Sequence, residues 1–212
     1  MKAIRTHAVG GPETLTLDEI AAPAPGKGEV LVAVKACAIN YPDGLIIRDM
    51  YQFKPQRPFS PGGEISGVIE AVGEGVEGFA VGDRVLAGIG HGGLAEKVIV
   101  PAGRMFKVPD GVPFEKAASL LMTYGTTIHG LKDRGHIKPG DTVLVLGAAG
   151  GVGLSAVELA KAFGARVVAA VSSEAKGEVA RKAGADEVVI YPREAMDKDA
   201  SKALADAFKK AC

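Results

Sequence analysis

The stretch that decides the fold is "TVLVLGAAGGVGLSAVELAKAF", residues 142–163. It starts with branched apolar residues typical of a buried strand and continues into a pattern typical of a helix. Four glycines, Gly147, Gly150, Gly151 and Gly153, lie at the junction. Missing side chains there let the backbone approach a bulky anion, and the first amides of the new helix can bind it. The stretch therefore predicts a dinucleotide site that holds a pyrophosphate.

The glycine spacing departs from G-x-G-x-x-G at one position, because Ala148 stands where the first glycine is expected. We expect Gly150 to allow close approach of the ligand and Gly153 to let the helix pack tightly on the strand. The alternative is a glycine-rich turn in an α/β domain that binds no nucleotide. The predicted phosphate-binding residues are Gly147, Ala149, Gly150, Gly151, Val152 and Gly153.

The flanking sequence alternates strands, near Val143, Val167 and Val188, with helices, which predicts βαβ units and a parallel sheet. A last helix is predicted in "AMDKDASKALADAFKKAC", and the strand near Val143 is expected to leave one sheet edge uncovered. The first helix should end at a left-handed Gly164. Its face towards the sheet is predicted to comprise Val152, Ala156, Leu159 and Phe163.

The end of the second strand favours NADPH over NADH. An NAD site usually has Asp or Glu about 20 residues past the glycines, whereas this chain has Ser172 and Ser173 there and no acid before Glu174. A carboxylate at that point would repel a 2′-phosphate, but hydroxyls and the cation of Lys176 would not. Tyr191, at the end of the next strand, is expected to close over the adenosine. The alternative for Lys176 is an ordinary solvated charge.

The first half of the chain is predicted to be a β barrel or sandwich, with a short helix after Pro42. The segment "FEKAASLLMTYGTTIHGLKDRG" is predicted to be helical with a break at Tyr124–Gly125, near a domain boundary. The predicted strands are "KAIRTH", "TLTLDEI", "EVLVAVKACAI", "EISGVIEAVG", "DRVLAGIG" and "AEKVIV".

Composition narrows the function further. The 212 residues carry 25 basic and 25 acidic side chains, and this balance argues against binding nucleic acid or a membrane surface. Two cysteines provide no disulfide framework, which suits a cytoplasmic protein. The amino terminus "MKAIRTHAVGGPE" has no apolar signal region, and no apolar run is long enough to span a bilayer.

The whole chain resembles the medium-chain dehydrogenase/reductase superfamily, and more narrowly its zinc-free NADPH:quinone oxidoreductase (zeta-crystallin-like) branch. The resemblance is carried by "GEVLVAVKACAINYPDGLI", "FSPGGEISGVIEAVGEGV", "AASLLMTYGTT" and "IKPGDTVLVLGAAGGVGLSAVELAKAFGARVVA". It implies an α/β protein with a GroES-like β-barrel catalytic domain, residues 1–123, and a partial Rossmann domain, a doubly wound parallel sheet, in residues 124–212. It also implies an active site in the cleft between them.

The resemblance requires a test for zinc, because the superfamily contains zinc enzymes. Its zinc members have Cys where this chain has Asn40, His where it has Gly63, and a third ligand within residues 120–127, which hold no Cys, His or acid. We therefore predict no metal site. Without a Lewis acid, reduction of an electron-poor quinone or α,β-unsaturated carbonyl (enone) is easier than oxidation of an alcohol.

The resemblance also suggests catalytic residues. Asn40, Tyr41 and Asp43 are expected to lie on the loop that faces the nicotinamide, although Asn40 is equally suited to capping the short helix. Tyr41 and Tyr51 are phenols that can donate a proton to a developing oxyanion, with ordinary packing as the alternative. Thr126 matches a threonine near the nicotinamide, and a one-residue slip would place Thr127 there instead.

Three other polar residues are expected to be structural. Glu64 is expected to form an ion pair inside the β domain, Cys37 to be an inert buried thiol, and His129 to support its helix.

Two rival functions remain open at the sequence level, an enoyl-thioester reductase and a non-catalytic nucleotide-binding or structural protein. Only half of a doubly wound domain is visible, so we expect the chain to be truncated and weakly active or inactive alone. The expected full-length form is a cytoplasmic homodimer that acts on a small-molecule quinone or enone.

Overall fold

A computed structural model describes all 212 residues. The chain forms two compact units, Met1–Met122 and Thr123–Cys212, and each is described by itself below. No helix combines the length and the apolar character needed to cross a membrane.

The first unit is built from antiparallel strands. Five of them form one sheet in the order β6-β3-β4-β5-β7, and β1 and β2 form a separate ribbon. Bridges from Ala3 to Ala95 and from Thr6 to Phe59 attach the ribbon to neighbouring loops. The strands are β1 (Lys2–Thr6), β2 (Leu15–Glu19), β3 (Glu29–Ala38), β4 (Glu64–Val72), β5 (Arg84–Gly88), β6 (Lys97–Pro101) and β7 (Met105–Lys107).

All six predicted strands of this unit are confirmed, and β7 was missed because it has only three residues. Apolar residues on one face of the sheet form the core of the unit, since alternate residues of a strand point to the same face. The core residues include Val30, Val32, Ile65, Ile69, Val85 and Val100.

The helices of the first unit are short. They are α1 (Tyr41–Ile46) and α2 (Phe114–Ala118), with 3₁₀ turns at Pro12–Thr14 and Ala102–Arg104. Pro42 lies in the first turn of α1, where its missing N–H costs nothing.

The predicted helix break at Tyr124–Gly125 is wrong. Gly125 has helical dihedrals, φ −61° and ψ −46°, and the chain leaves the helical path earlier, at Ser119. A π-helical turn (Leu121–Gly125), α3 (Thr126–Ile128) and a second π-helical turn (His129–Arg134) then follow one another without a gap. The break lies earlier because the buried Glu64 carboxylate accepts the first amides of this new helical segment.

The second unit contains a parallel sheet in the order β10-β9-β8, which confirms the predicted βαβ alternation and places β8 at one edge of the sheet. Its core lies between the sheet and the helices and includes Val145, Val157, Val167, Val171 and Ala180. The elements are β8 (Thr142–Leu146), α4 (Gly151–Ala162), β9 (Arg166–Val171), α5 (Glu174–Lys182), β10 (Glu187–Ile190) and α6 (Lys198–Ala211).

The prediction of which side of α4 faces the sheet is wrong, because the buried residues lie about one position later in the sequence than expected. Val152 is 47% exposed, whereas Gly153, Val157 and Ala160 are buried. The helix is rotated because Gly153 comes so close to the preceding turn that a Cβ there would lie 2.3 Å from the Gly147 carbonyl oxygen. The predicted left-handed cap at Gly164 is confirmed, with φ +82°.

Candidate functional site

The junction between β8 and α4 leaves the start of a helix open. Gly147 has φ +65°, and its carbonyl oxygen accepts the Gly150 N–H at 2.9 Å, which tightens the turn. Gly150 is the N-cap of α4 and has no side chain to cap it, and the first intrahelical bond is Leu154 N–H to Gly150 O. The amides that precede Leu154 in α4 and the positive end of the helix dipole are therefore available to an anion.

The two glycines predicted to differ in role do differ in surroundings. A Cβ on Gly150 would meet nothing closer than the Gly147 oxygen at 3.4 Å, so that side of Gly150 is open. A Cβ on Gly153 would overlap backbone atoms of Gly147 and Ala148. Ala148 itself is fully buried, and its N–H donates to the Ala170 carbonyl at 3.2 Å, so its methyl group packs in the core and no glycine is needed.

A small pocket at this edge of the sheet brings most of the predicted coenzyme residues together. Inside it, the Lys176 ammonium donates to the Ser172 hydroxyl at 3.2 Å. The pocket is lined by Gly147, Ala149, Gly150, Val171, Ser172, Lys176 and Tyr191.

Ser173 does not line this pocket. Its side-chain oxygen accepts the Lys176 N–H at 3.4 Å and so caps the start of α5. The geometry therefore assigns helix capping to Ser173 and leaves the pocket hydroxyl to Ser172.

Sequence reasoning missed one cation at this pocket. The Arg193 Nε donates to the Ser172 hydroxyl at 3.1 Å, from a position two residues past Tyr191. The available signal was a basic residue just after the end of a strand next to β9, since neighbouring parallel strands end at the same sheet edge.

The loop before α1 is held by two buried acids. Asp43 accepts the Asn40 N–H at 2.7 Å and the Gly62 N–H at 3.0 Å, and Asn40 is the N-cap of α1. The Asn40 side-chain amide donates to Glu64 at 3.3 Å. Asn40 therefore lies at the helix-capping position that was its alternative role, and its expected contact with the nicotinamide stays a prediction.

The predicted ion pair of Glu64 is wrong. Its side chain is 1% exposed and is bound only by uncharged donors, the Leu121 and Met122 amides and Asn40. Burial raises the pKa of Glu64, and these N–H donors oppose the rise. Backbone amides, rather than the expected cation, bind the Glu64 carboxylate because a helical segment starts beside it and supplies unpaired N–H groups.

Asn40 also lines an exposed groove with apolar walls. Tyr41 is 83% exposed and Met50 69% exposed, which leaves both free to contact a ligand. The remaining lining residues are Ile39, Gly44, Leu45 and Arg48. Tyr51 is absent from this groove and packs against Ile46, Ile47 and Phe59, as the packing alternative described.

The two threonines of the second unit are also distinct. Thr126 is exposed, whereas Thr127 is buried and shares a hydrogen bond of 2.7 Å with the Ser155 hydroxyl. Catalytic roles for Asn40, Tyr41, Tyr51 and Thr126 stay predictions.

No group of three or more His, Cys, Asp and Glu side chains is arranged to hold a metal ion. The expected independence from zinc stays a prediction. His129 is exposed and contacts Asp133 at 3.0 Å. Burial raises the pKa of Cys37 to about 12, so this thiol stays protonated at neutral pH.

Comparisons with known families match both units. Residues 26–110 match the family described as "Alcohol dehydrogenase GroES-like domain", and residues 151–211 match "Zinc-binding dehydrogenase". The chain is 40% identical over 207 residues to "Quinone oxidoreductase-like protein 2 homolog" of Nematostella vectensis, covering 97% of this chain and 56% of that protein. The chain thus spans little more than half the length of this relative.

Solved structures give the same result. A quinone oxidoreductase of Pseudomonas syringae superposes with a TM-score of 0.89 at 37% identity, over 98% of this chain and 63% of that one. The Escherichia coli quinone oxidoreductase complexed with NADPH superposes with a TM-score of 0.87 at 34% identity, over 92% of this chain and 60% of that one. The chain therefore belongs to the medium-chain dehydrogenase/reductase superfamily, in its quinone oxidoreductase branch.

Proposed function

We propose that the chain is the coenzyme-binding and acceptor-facing part of an NADPH-dependent reductase that works on quinones or enones without zinc. The observation that carries this proposal is the uncapped start of α4 in one pocket with the Ser172 hydroxyl and the Lys176 ammonium. A diphosphate and a ribose phosphate need two anion sites of this kind a short distance apart.

The second unit would bind and orient the coenzyme. The open amides at the start of α4 would hold the diphosphate, and Gly150 would leave room for it. Ser172 and Lys176 would bind the 2′-phosphate, with Tyr191 beside the adenosine. When bound, NADPH supplies a hydride, so the protein has to position and shield the reactants rather than provide the reducing electrons.

The first unit would receive the acceptor. Asp43 and Glu64 fix Asn40, which can hydrogen-bond the nicotinamide or the acceptor oxygen. The exposed side chains of Tyr41 and Met50 offer apolar surface to a flat quinone ring, and the Tyr41 phenol can donate a proton to the reduced oxygen. Tyr51 and Thr126 remain further candidates.

Zinc independence rests on the side chains themselves. The segment that matches "Zinc-binding dehydrogenase" contains neither Cys nor His. Asn40 and Gly63 stand at two positions where a metal would need a ligand, and neither side chain supplies one of the usual zinc donors. Acceptors that are already electron-poor need no Lewis acid, which favours quinones and enones.

Titration of the chain with NADPH and NADH, followed through the fluorescence of the reduced coenzyme, tests the proposal. We expect saturable binding with NADPH preferred, and weaker NADPH binding in Lys176→Gln. Lys202→Gln, which removes an exposed charge on α6, is the matched control. Oxidation of NADPH by a quinone would establish catalysis, and binding without turnover would favour a nucleotide-binding role. The predicted homodimer and cytoplasmic location stay predictions.

A further inference from the structure

The carboxyl end of β10 places Arg193 beside the pocket described above. The Tyr191 N–H donates to the Val171 carbonyl at 2.9 Å, so the chain past β10 continues alongside the end of β9. Two residues later the Arg193 Nε donates to the Ser172 hydroxyl at 3.1 Å. The guanidinium is therefore held at the same oxygen that the Lys176 ammonium contacts at 3.2 Å.

The hydrogen-bonding capacity of Ser172 indicates what kind of group can bind beside Lys176 and Arg193. A serine hydroxyl has two lone pairs and one O–H donor. Lys176 and Arg193 both donate to its oxygen, which leaves the O–H free to donate to a further acceptor. An anionic oxygen is an acceptor without hydrogens of its own, and it also relieves the repulsion between the two cations.

No acidic side chain of this chain takes that place. Neither Lys176 nor Arg193 forms an ion pair, and the carboxylate of Glu174, the nearest acid in sequence to Ser172, is bound by Arg181. The Arg193 guanidinium uses only Nε on Ser172, which leaves both terminal NH₂ groups for a two-pronged contact with a phosphate.

We infer that Arg193 is a specificity-determining residue that binds the 2′-phosphate of the coenzyme, together with Ser172 and Lys176. This inference rests on the proposed NADPH function and adds to it a residue that the glycine pattern does not indicate. A monoester phosphate on the ribose matches three donors converging on one point, whereas the diphosphate belongs at the start of α4. NADH, with a ribose hydroxyl there, leaves the two cations without a counter-charge.

The test compares Arg193→Gln, Arg193→Lys and the charge-matched control Lys202→Gln, each titrated with NADPH and with NADH. Arg193→Gln should weaken NADPH binding about tenfold or more, because a charge-assisted hydrogen bond is lost. Its NADH affinity should stay within about twofold of the unaltered chain, since NADH makes no phosphate contact there. Arg193→Lys should recover part of the NADPH affinity, and Lys202→Gln should change neither.

Salt dependence provides a second measurement. NADPH binding to the unaltered chain should weaken with added salt more steeply than binding to Arg193→Gln. Circular dichroism of each variant establishes that the fold is intact, which is expected because Arg193 is exposed.

Two results would overturn the inference in distinguishable ways. If the unaltered chain prefers NADPH and Arg193→Gln keeps that preference, Arg193 is not a determinant while the proposed function stands. If the unaltered chain binds neither coenzyme, or binds both equally, the proposed function fails and the inference fails with it.

Discussion

Adding one methyl group at Gly153 should destabilise the second unit. The Cβ of Gly153→Ala would lie 2.3 Å from the Gly147 oxygen and 2.8 Å from the Ala148 Cα. Both are backbone atoms, so α4 and the turn would have to move apart by more than half an ångström. Overpacking of this kind costs about 1–3 kcal/mol, which for a chain of this size lowers Tm by roughly 2–12 °C.

The same methyl group at Gly150 should leave the fold nearly intact and act on the ligand instead. Its nearest neighbour, the Gly147 oxygen, is at an ordinary 3.4 Å, and the backbone φ of −85° suits alanine. The weaker capping of alanine relative to glycine should cost at most about 1 kcal/mol. Because the methyl group would occupy the space of the diphosphate, NADPH affinity should fall about tenfold or more, equivalent to about 1.4 kcal/mol.

The assay is thermal and urea unfolding by circular dichroism, with coenzyme titration of each folded variant. Gly130→Ala is the control, because its Cβ would meet no atom within 4 Å. It should be as stable as the unaltered chain or slightly more so. If Gly153→Ala matches this control in stability, the argument from close packing is wrong. Full NADPH affinity in Gly150→Ala would show that the ligand does not approach this side of the turn.

Three further predictions follow from individual side chains. Ser173→Ala should lower the free energy of unfolding by about 1 kcal/mol through loss of the α5 cap. Ser172→Ala should mainly weaken NADPH binding. Urea unfolding measures the first effect and coenzyme titration the second. Burial raises the pKa of Glu64, so the folded state holds its proton to higher pH than the unfolded state, and stability should fall as pH rises through the window above the ordinary value of 4.5. Glu64→Gln should remove this slope in unfolding curves measured across that window, and an unchanged slope would contradict it. Alkylation at pH 8, mapped by mass spectrometry, should modify the exposed Cys212 and spare Cys37, whose pKa is about 12; equal modification would refute the burial argument.

Features that depend on near neighbours in sequence were predictable. The strand-to-helix junction, the parallel βαβ order and the left-handed Gly164 follow from local patterns of apolar residues and glycines. The sheet-facing side of α4 was mispredicted because apolar spacing favoured Val152, while the helix is rotated by the need of Gly153 to touch the turn. A close backbone approach of this kind leaves no mark in hydrophobic periodicity.

Polar contacts between distant segments could not be read from the sequence. Glu64 binds amides 57 and 58 residues away, and Arg193 reaches Ser172 across 21 residues. The ion pair expected for Glu64 was wrong because sequence shows which acids are present but not that a helix will begin beside one of them. In the structure, unpaired backbone N–H groups bind the Glu64 carboxylate where a cation was expected. Residue types alone do not reveal such groups.

The balance of charges illustrates the same limit in another way. A net charge of zero argued against binding nucleic acid or a membrane surface, because such large anionic partners respond to the electrostatic field of the whole protein. Recognition of a single phosphate depends on charges within a few ångströms, since salt screens exposed charges beyond about 8 Å. In the second unit Lys161, Arg166 and Arg181 are each paired with a carboxylate. Lys176 and Arg193, which both contact the Ser172 hydroxyl, form no ion pair. A chain with no net charge can therefore keep a local excess of positive charge at the one place where a phosphate monoester would bind.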